Sequence, residues 1–228
     1  MQKANINKIS TTSRVNFFER FECFTKSSVW PAYVCCFCAF MYAVFVRFYH
    51  AAGGTIGMSG KIKDPAIFYM GSYMAGITIM FCGFALIALI KPWSRIVPIK
   101  IPLIGGRKIH PLILLTPTLI GTAFLIAHGV SGIITKALLL AGIITMDFPG
   151  FVEVDVRDLA LWDLLVYEPC FSFLGMMAGL TAAHYAQASG VRQSSFRRGT
   201  VLYLIMVFLL TALFATSIIF DFADKISL

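Results

Sequence analysis

Residues 111–134 read PLILLTPTLIGTAFLIAHGVSGII, a run of 24 residues without a single Asp, Glu, Lys or Arg. An α-helix rises about 1.5 Å per residue, so about 20 apolar residues cross a hydrocarbon core about 30 Å thick. This run is long enough to span a bilayer. Outward from it, residues 29–50, 66–90, 164–186 and 200–220 have the same character. The composition agrees: of 228 residues, 58% are hydrophobic and 13% charged, against roughly 45–50% and 25% in a soluble domain. That leaves too little polar surface for a water-soluble enzyme. The six cysteines sit in apolar runs instead of polar loops, which excludes a disulfide-stapled secreted module. The expected fold is all-α, a polytopic membrane helical bundle of five transmembrane helices.

The net charge of +8 does not point to nucleic acid, because the basic residues fall in short clusters between hydrophobic blocks. Such clustering is the charge bias of a multi-pass membrane protein. The tail before the first span holds Lys3, Lys8, Arg14, Arg20 and Lys26. The link between spans two and three holds Lys91, Arg95, Lys100, Arg107 and Lys108, and the link before span five adds Arg192, Arg197 and Arg198. The other side holds Lys61, Lys63, Lys136, Arg157 and Lys225, so the bias is thirteen to five, with Arg47 inside a span. The N-terminus is therefore expected in the cytoplasm and the C-terminus outside. Residues 1–28 read as a cytoplasmic basic tail, and residues 29–228 as one five-helix domain with an external amphipathic segment at 135–163.

No small-x-small cleavage site follows the first apolar run, so it is expected to be a retained anchor in a bacterial plasma membrane. Residues 1–18 combine Lys3, Lys8 and Arg14 with Ser10-Thr11-Thr12-Ser13 and no acid. That composition resembles a transit peptide and keeps an organellar inner membrane as the alternative.

Two connections carry detail. Residues 91–110 alternate prolines, isoleucines and basic residues, with a turn expected at Gly105-Gly106. Three prolines between Pro92 and Pro102 exclude a regular helix. This loop suits anchoring at the interface, an anionic headgroup or a partner protein. In the external segment, Ala137 to Ile144 is too short to span again and is expected at the outer interface or re-entering. Beyond a turn at Asp147-Phe148-Pro149-Gly150, Asp155 is placed to cap a helix with Asp158 in its first turn. Glu153, Asp155, Asp158, Asp163 and Glu168 form an acidic rim there, suited either to a cation or to solvation of a connector.

Ionisable groups within hydrocarbon are costly and mark candidate sites. They are Arg47 and His50 near the outer end of span one, His128 in span three and His184 near the inner end of span four, with His110 at the inner edge of span three. No Asp or Glu is expected deep in a span, which argues against proton or sodium coupling. Arg47 and His50, three residues apart, share a helix face. Small and hydroxyl residues at helical spacing (Thr118, Gly121, His128, Gly132 and Thr135 in span three; Ser172, Gly175 and Gly179 in span four; Ser72, Gly76 and Gly83 in span two) predict close packing of these three spans with His128 inside. The histidines also permit haem ligation, His50 with His128 in the outer half and His110 with His184 at the inner edge. Cys35 and Cys38 form a C-x-x-C in span one, but Cys23, Cys82 and Cys170 lie at scattered depths, so packing is the expected role. No P-loop, H-E-x-x-H, nucleophile elbow or dinucleotide fingerprint is present.

The stretch His50-Ala51-Ala52-Gly53-Gly54-Thr55-Ile56-Gly57, with Lys61-Ile62-Lys63-Asp64-Pro65 leading into the next span, resembles a family of small bacterial multi-pass membrane proteins. In that family an aromatic-rich first helix ends in a similar His-x-x-Gly-Gly-Thr-x-Gly stretch. The likeness covers about residues 45–90. It implies a membrane protein of bacterial origin and brings no catalytic residue, since the family has no assigned activity.

The functional expectation is a ligand-accessible external mouth lined by Arg47, His50, Gly53, Gly54, His128 and Asp163. Two cations and backbone N–H groups of the glycine turn would favour a small anionic molecule or a lipid there. No cofactor is required by this reading. Alternatives are an accessory subunit of a membrane assembly, an oxidoreductase anchor holding haem b or quinone through His50, His128, His110 and His184, and a structural scaffold. The expected partners are the lipid bilayer and other membrane subunits.

Overall fold

The computed structural model describes residues 17–220. Its elements are α1 (Phe17–Ser27), α2 (Trp30–Ala51), β1 (Gly60–Ile62), α3 (Pro65–Leu89), α4 (Pro111–Leu140), β2 (Phe151–Val154), α5 (Val156–Ala188) and α6 (Gln193–Ile219). Helices α2 to α6 are the five that are long and apolar enough to cross a membrane. Local chemistry sets where they begin. Asp64 accepts a hydrogen bond from the Ile67 N–H ahead of α3, with Pro65 in the first turn, and Asp155 accepts from the Asp158 N–H ahead of α5. These are side-chain N-caps that satisfy donors a helix cannot satisfy itself.

The helices stand side by side in the order α3, α2, α5, α4, α6. Glycines set the closest approaches. A Cβ on Gly175 of α5 would lie 3.0 Å from the Ile126 backbone N of α4, and one on Gly83 of α3 would lie 3.2 Å from Ala39 Cβ of α2. Gly76 of α3 faces the Phe48 ring of α2. The small residues of α3 therefore serve α2, and the tight centre is α2, α5 and α4 instead of spans two, three and four. On the far flank, α6 leans on α4 through a Thr122–Tyr203 hydroxyl contact of 2.8 Å and the Phe124–Phe214 rings.

Strands β1 and β2 pair antiparallel, with Gly60 opposite Val154 and Lys61 opposite Glu153. They join the α2–α3 and α4–α5 links at one end of the bundle, and Ser59 adds a hydroxyl hydrogen bond to the Asp158 carboxylate. At the opposite end, loop 91–110 folds on itself through an Ile96–Lys108 bridge and turns at Gly106, whose φ is +79°.

The helix capped by Asp155 runs straight into span four as one helix, α5. Two expectations change. The run 137–144 does not lie apart at the interface, because α4 continues through Lys136 to Leu140. The N-terminal tail contains a helix, α1, packed on α5 and on the start of α6. The basic residues Lys3, Lys8 and Arg14, the transit-peptide reading that rests on them, and Lys225 lie outside the described residues.

Helix α1 is held by charge. The Glu22 carboxylate accepts from Arg197 Nε at 2.5 Å and Nη2 at 3.0 Å, and from Gln193 Nε2 at 2.6 Å. The Arg197 hydrogen bond holds the Glu22 carboxyl below its ordinary value, against the opposing effect of burial. A carboxyl lowered in the folded state contributes stability that is present above its unfolded pKa and lost as pH falls through the folded one. Thermal unfolding profiles of wild type and Glu22→Gln should therefore differ at neutral pH and converge in acid. Parallel profiles at all pH values would show that the clamp contributes nothing.

Candidate functional site

Two of the membrane-spanning helices loosen at the same place. In α2 the segment Ala43–Phe48 is π-helical, and in α5 the segment Asp163–Tyr167 is π-helical. Such widened turns re-aim side chains and recur at functional sites. The first carries Arg47; the second carries Asp163 and Tyr167 and delivers the chain to Glu168. Facing them, α4 presents His128 and Lys136.

These residues form one polar cluster in the half of the bundle away from α1. Lys136 Nζ lies 3.1 Å from Asp163 Oδ2 and 4.9 Å from the centre of the Phe148 ring. His128 Nε2 lies 3.8 Å from Glu168 Oε2. The His128 ring is parallel to Phe124 at 6.2 Å and edge-on to Phe171 at 5.2 Å, with 47% of its side chain exposed. Phe171 in turn meets Tyr42 at 5.3 Å, and the Arg47 guanidinium carbon sits 5.4 Å from the Tyr42 ring centre. Arg47 is within electrostatic reach of His128 and Tyr167. Its Nε is buried without a hydrogen-bond partner, and neither ion pair of the cluster uses it.

Glu168 is 7% exposed, and its Oε2 also has no hydrogen-bond partner. One turn further, the buried Ser172 hydroxyl is unpartnered too. Both face Gly129 and Gly132 of α4. A Cβ on Gly132 would collide with the Glu168 carboxylate, and one on Gly129 would lie 2.7 Å from the Glu168 backbone oxygen. Gly132 is eight residues before the end of α4, about 12 Å along the axis, so this carboxyl belongs to the spanning part of the bundle.

Of the mouth expected from sequence, Arg47, His128 and Asp163 come together. His50, Gly53 and Gly54 do not join them. His50 is 3% exposed, its Nε2 is 3.0 Å from the Ile56 oxygen, and its ring packs against Phe68 and Tyr167. The Gly53 and Gly54 N–H groups donate to the His50 and Tyr49 carbonyls that end α2, so they are spent as a helix C-cap. His128 opens outward between two phenylalanines instead of into the bundle centre. The acidic rim separates into local roles: Glu153 in β2, Asp155 as cap, Asp158 with Ser59, Asp163 with Lys136, and Glu168 inside.

The remaining histidines stand elsewhere. His184 Nδ1 lies 2.9 Å from the Thr25 oxygen, and His110 is exposed at the start of α4. Among the described residues, no group of three or more His, Cys, Asp or Glu is placed to hold a metal ion. All six cysteines are free, and Cys35 donates its thiol to the Leu174 oxygen at 3.4 Å in a packing role.

Sequence reasoning missed Lys136 as a site residue and placed Glu168 in an external acidic rim instead of inside the bundle. Both stood at the margins of expected spans, where a charge is ordinarily solvated. The signal that would have found them is their shared helix-to-helix register: Gly129 and Gly132 open α4 opposite Glu168 and Ser172, an i, i+4 pair on α5.

Fold and polar centre together define an integral membrane protein. Searches against protein-family models, curated proteins and solved structures found no match to this chain.

Proposed function

We propose that this membrane protein binds an anionic group, a phosphate or carboxylate borne by a lipid or a small molecule, at the cluster between α2, α4 and α5. The observation that carries the reading is Arg47. Its Nε is buried in a spanning helix without a hydrogen-bond partner, while the nearby charges pair with each other. A guanidinium offers a planar fork of donors that matches phosphate and carboxylate oxygens. The half-buried guanidinium has the neutral Tyr42 hydroxyl within hydrogen-bond reach but no carboxylate of its own, so an anionic ligand would supply the charge that is missing. The outward-facing ring of His128 and the nearby rings of Tyr42, Phe124 and Phe171 offer an apolar bed for the rest of the molecule.

Native mass spectrometry of the protein in mild detergent tests this, with phosphatidylglycerol, phosphatidylcholine and inorganic phosphate as separate probes. Hydrogen bonds to charged groups contribute about 1.5–3 kcal/mol, so Arg47→Ala should lower retention of the anionic probe roughly tenfold to a hundredfold, and Arg47→Lys less. Selective loss of phosphatidylglycerol identifies a lipid headgroup. Loss of phosphate-induced thermal stabilisation without a lipid preference identifies a soluble anion. Equal behaviour of wild type and Arg47→Ala toward every probe would refute the reading.

A further inference from the structure

We infer that Glu168 and His128 form an intramembrane proton site, in which the partly exposed imidazole passes a proton to and from the buried carboxylate. The argument stands on Glu168 and does not depend on what Arg47 binds. Glu168 is 7% exposed, Oε2 has no hydrogen-bond donor, and His128 Nε2 stands 3.8 Å from it. The fold makes room for this carboxyl by placing Gly132 against it. A carboxyl buried in hydrocarbon with an open acceptor beside an imidazole has the arrangement of a proton relay.

The charged and titratable groups around the pair come from three helices. From α4 they are His128 itself and Lys136; from α5, Asp163 and Tyr167; from α2, Arg47 and Tyr42. Lys136 and Asp163 are already joined at 3.1 Å and so largely offset one another. That leaves Glu168 and His128 as the pair with an unused acceptor on one side and a half-exposed ring on the other.

The transfer is a simple proton exchange. Neutral His128 takes a proton from water that enters the groove between α2 and α4, where its ring is exposed, and becomes an imidazolium. The Nε2–H bond then breaks, its proton forms an O–H bond on Glu168 Oε2, and the imidazole returns to neutral. The 3.8 Å separation must shorten by about 0.6–1.2 Å, or be bridged by one water, for transfer. Release runs the same steps backward.

Infrared difference spectroscopy of the whole protein in liposomes, after rapid pH steps, reads the carboxyl directly. Wild type should show a reversible pair of bands, gain of a carboxylic C=O stretch and loss of a carboxylate stretch. Glu168→Gln should lose the pair, and Glu153→Gln, an exposed position in β2 outside the cluster, should keep it. His128→Gln should keep the bands but slow their appearance about tenfold or more, since the shuttle is gone. Labelling wild type with 13C-glutamate gives a check that needs no variant, because the bands must shift. Bands that persist in Glu168→Gln, that ignore the glutamate label, or that appear at an unchanged rate in His128→Gln would each overturn the inference. Because the bands are read with no anionic probe present, failure here is distinguishable from failure of the anion site.

Discussion

Lys136→Met is expected to destabilise the protein by about 3–5 kcal/mol, the cost of leaving one member of a buried ion pair behind. Lys136 and Asp163 are 3.1 Å apart with side chains only 10% and 21% exposed, and they link α4 to the widened segment of α5. Each charge is desolvated on account of the other. Removing the lysine leaves the Asp163 carboxylate without its ion-pair partner. The double change Lys136→Met with Asp163→Leu should regain most of the loss, because buried ion pairs replaced by apolar groups of similar volume are often neutral. Trp162 stands next to Asp163 and stacks on Tyr167, so its fluorescence during denaturant titration in mild detergent reports the same region. A single-variant loss below about 1 kcal/mol would mean that the pair is solvated like a surface salt bridge.

The same pair explains why part of the fold was legible in the sequence and part was not. The five spans follow from hydropathy, since any segment of that length and composition must leave water. Each of the five begins or ends within two residues of an expected position. The ends that moved are the end of α4 and the starts of α5 and α6, where charge was taken as the limit of the helix. A helix need not stop at a lysine when the neighbouring helix supplies an aspartate. Hydropathy along one chain does not contain that neighbour. The site divides in the same way. Arg47, His128 and Asp163 stand out because charge near hydrocarbon is rare. Glu168 looked like the last member of a solvated rim until α4 was placed against it. His50 shared a helical face with Arg47 under regular spacing, but the π-helical turn at Ala43–Phe48 shifts that spacing, and the carbonyl of Ile56 takes the ring. Strands of three and four residues in two separate loops leave no periodicity to read.

The glycines of α4 allow the packing role and the site role to be separated. Gly129→Ala should be the more damaging substitution. Its Cβ would lie 2.7 Å from both the Glu168 backbone oxygen and the Ser172 backbone nitrogen, so α4 and α5 must move apart. Overpacking a close contact costs about 1–3 kcal/mol, and more when backbone is the obstacle. For Gly132→Ala the three nearest atoms are all of the Glu168 carboxylate. A double-mutant cycle with Glu168→Ala then distinguishes the two positions. Removing the carboxylate should restore most of the stability lost in Gly132→Ala, because the obstacle is gone. It should restore little in Gly129→Ala, where the obstructing backbone remains. Unfolding free energies of the single and double variants in the same detergent supply both cycles. Equal rescue at the two glycines would mean that α4 and α5 are not packed in this register. No rescue at Gly132 would mean that the Glu168 carboxylate does not occupy the space this glycine leaves, and the buried proton site would lose its structural basis.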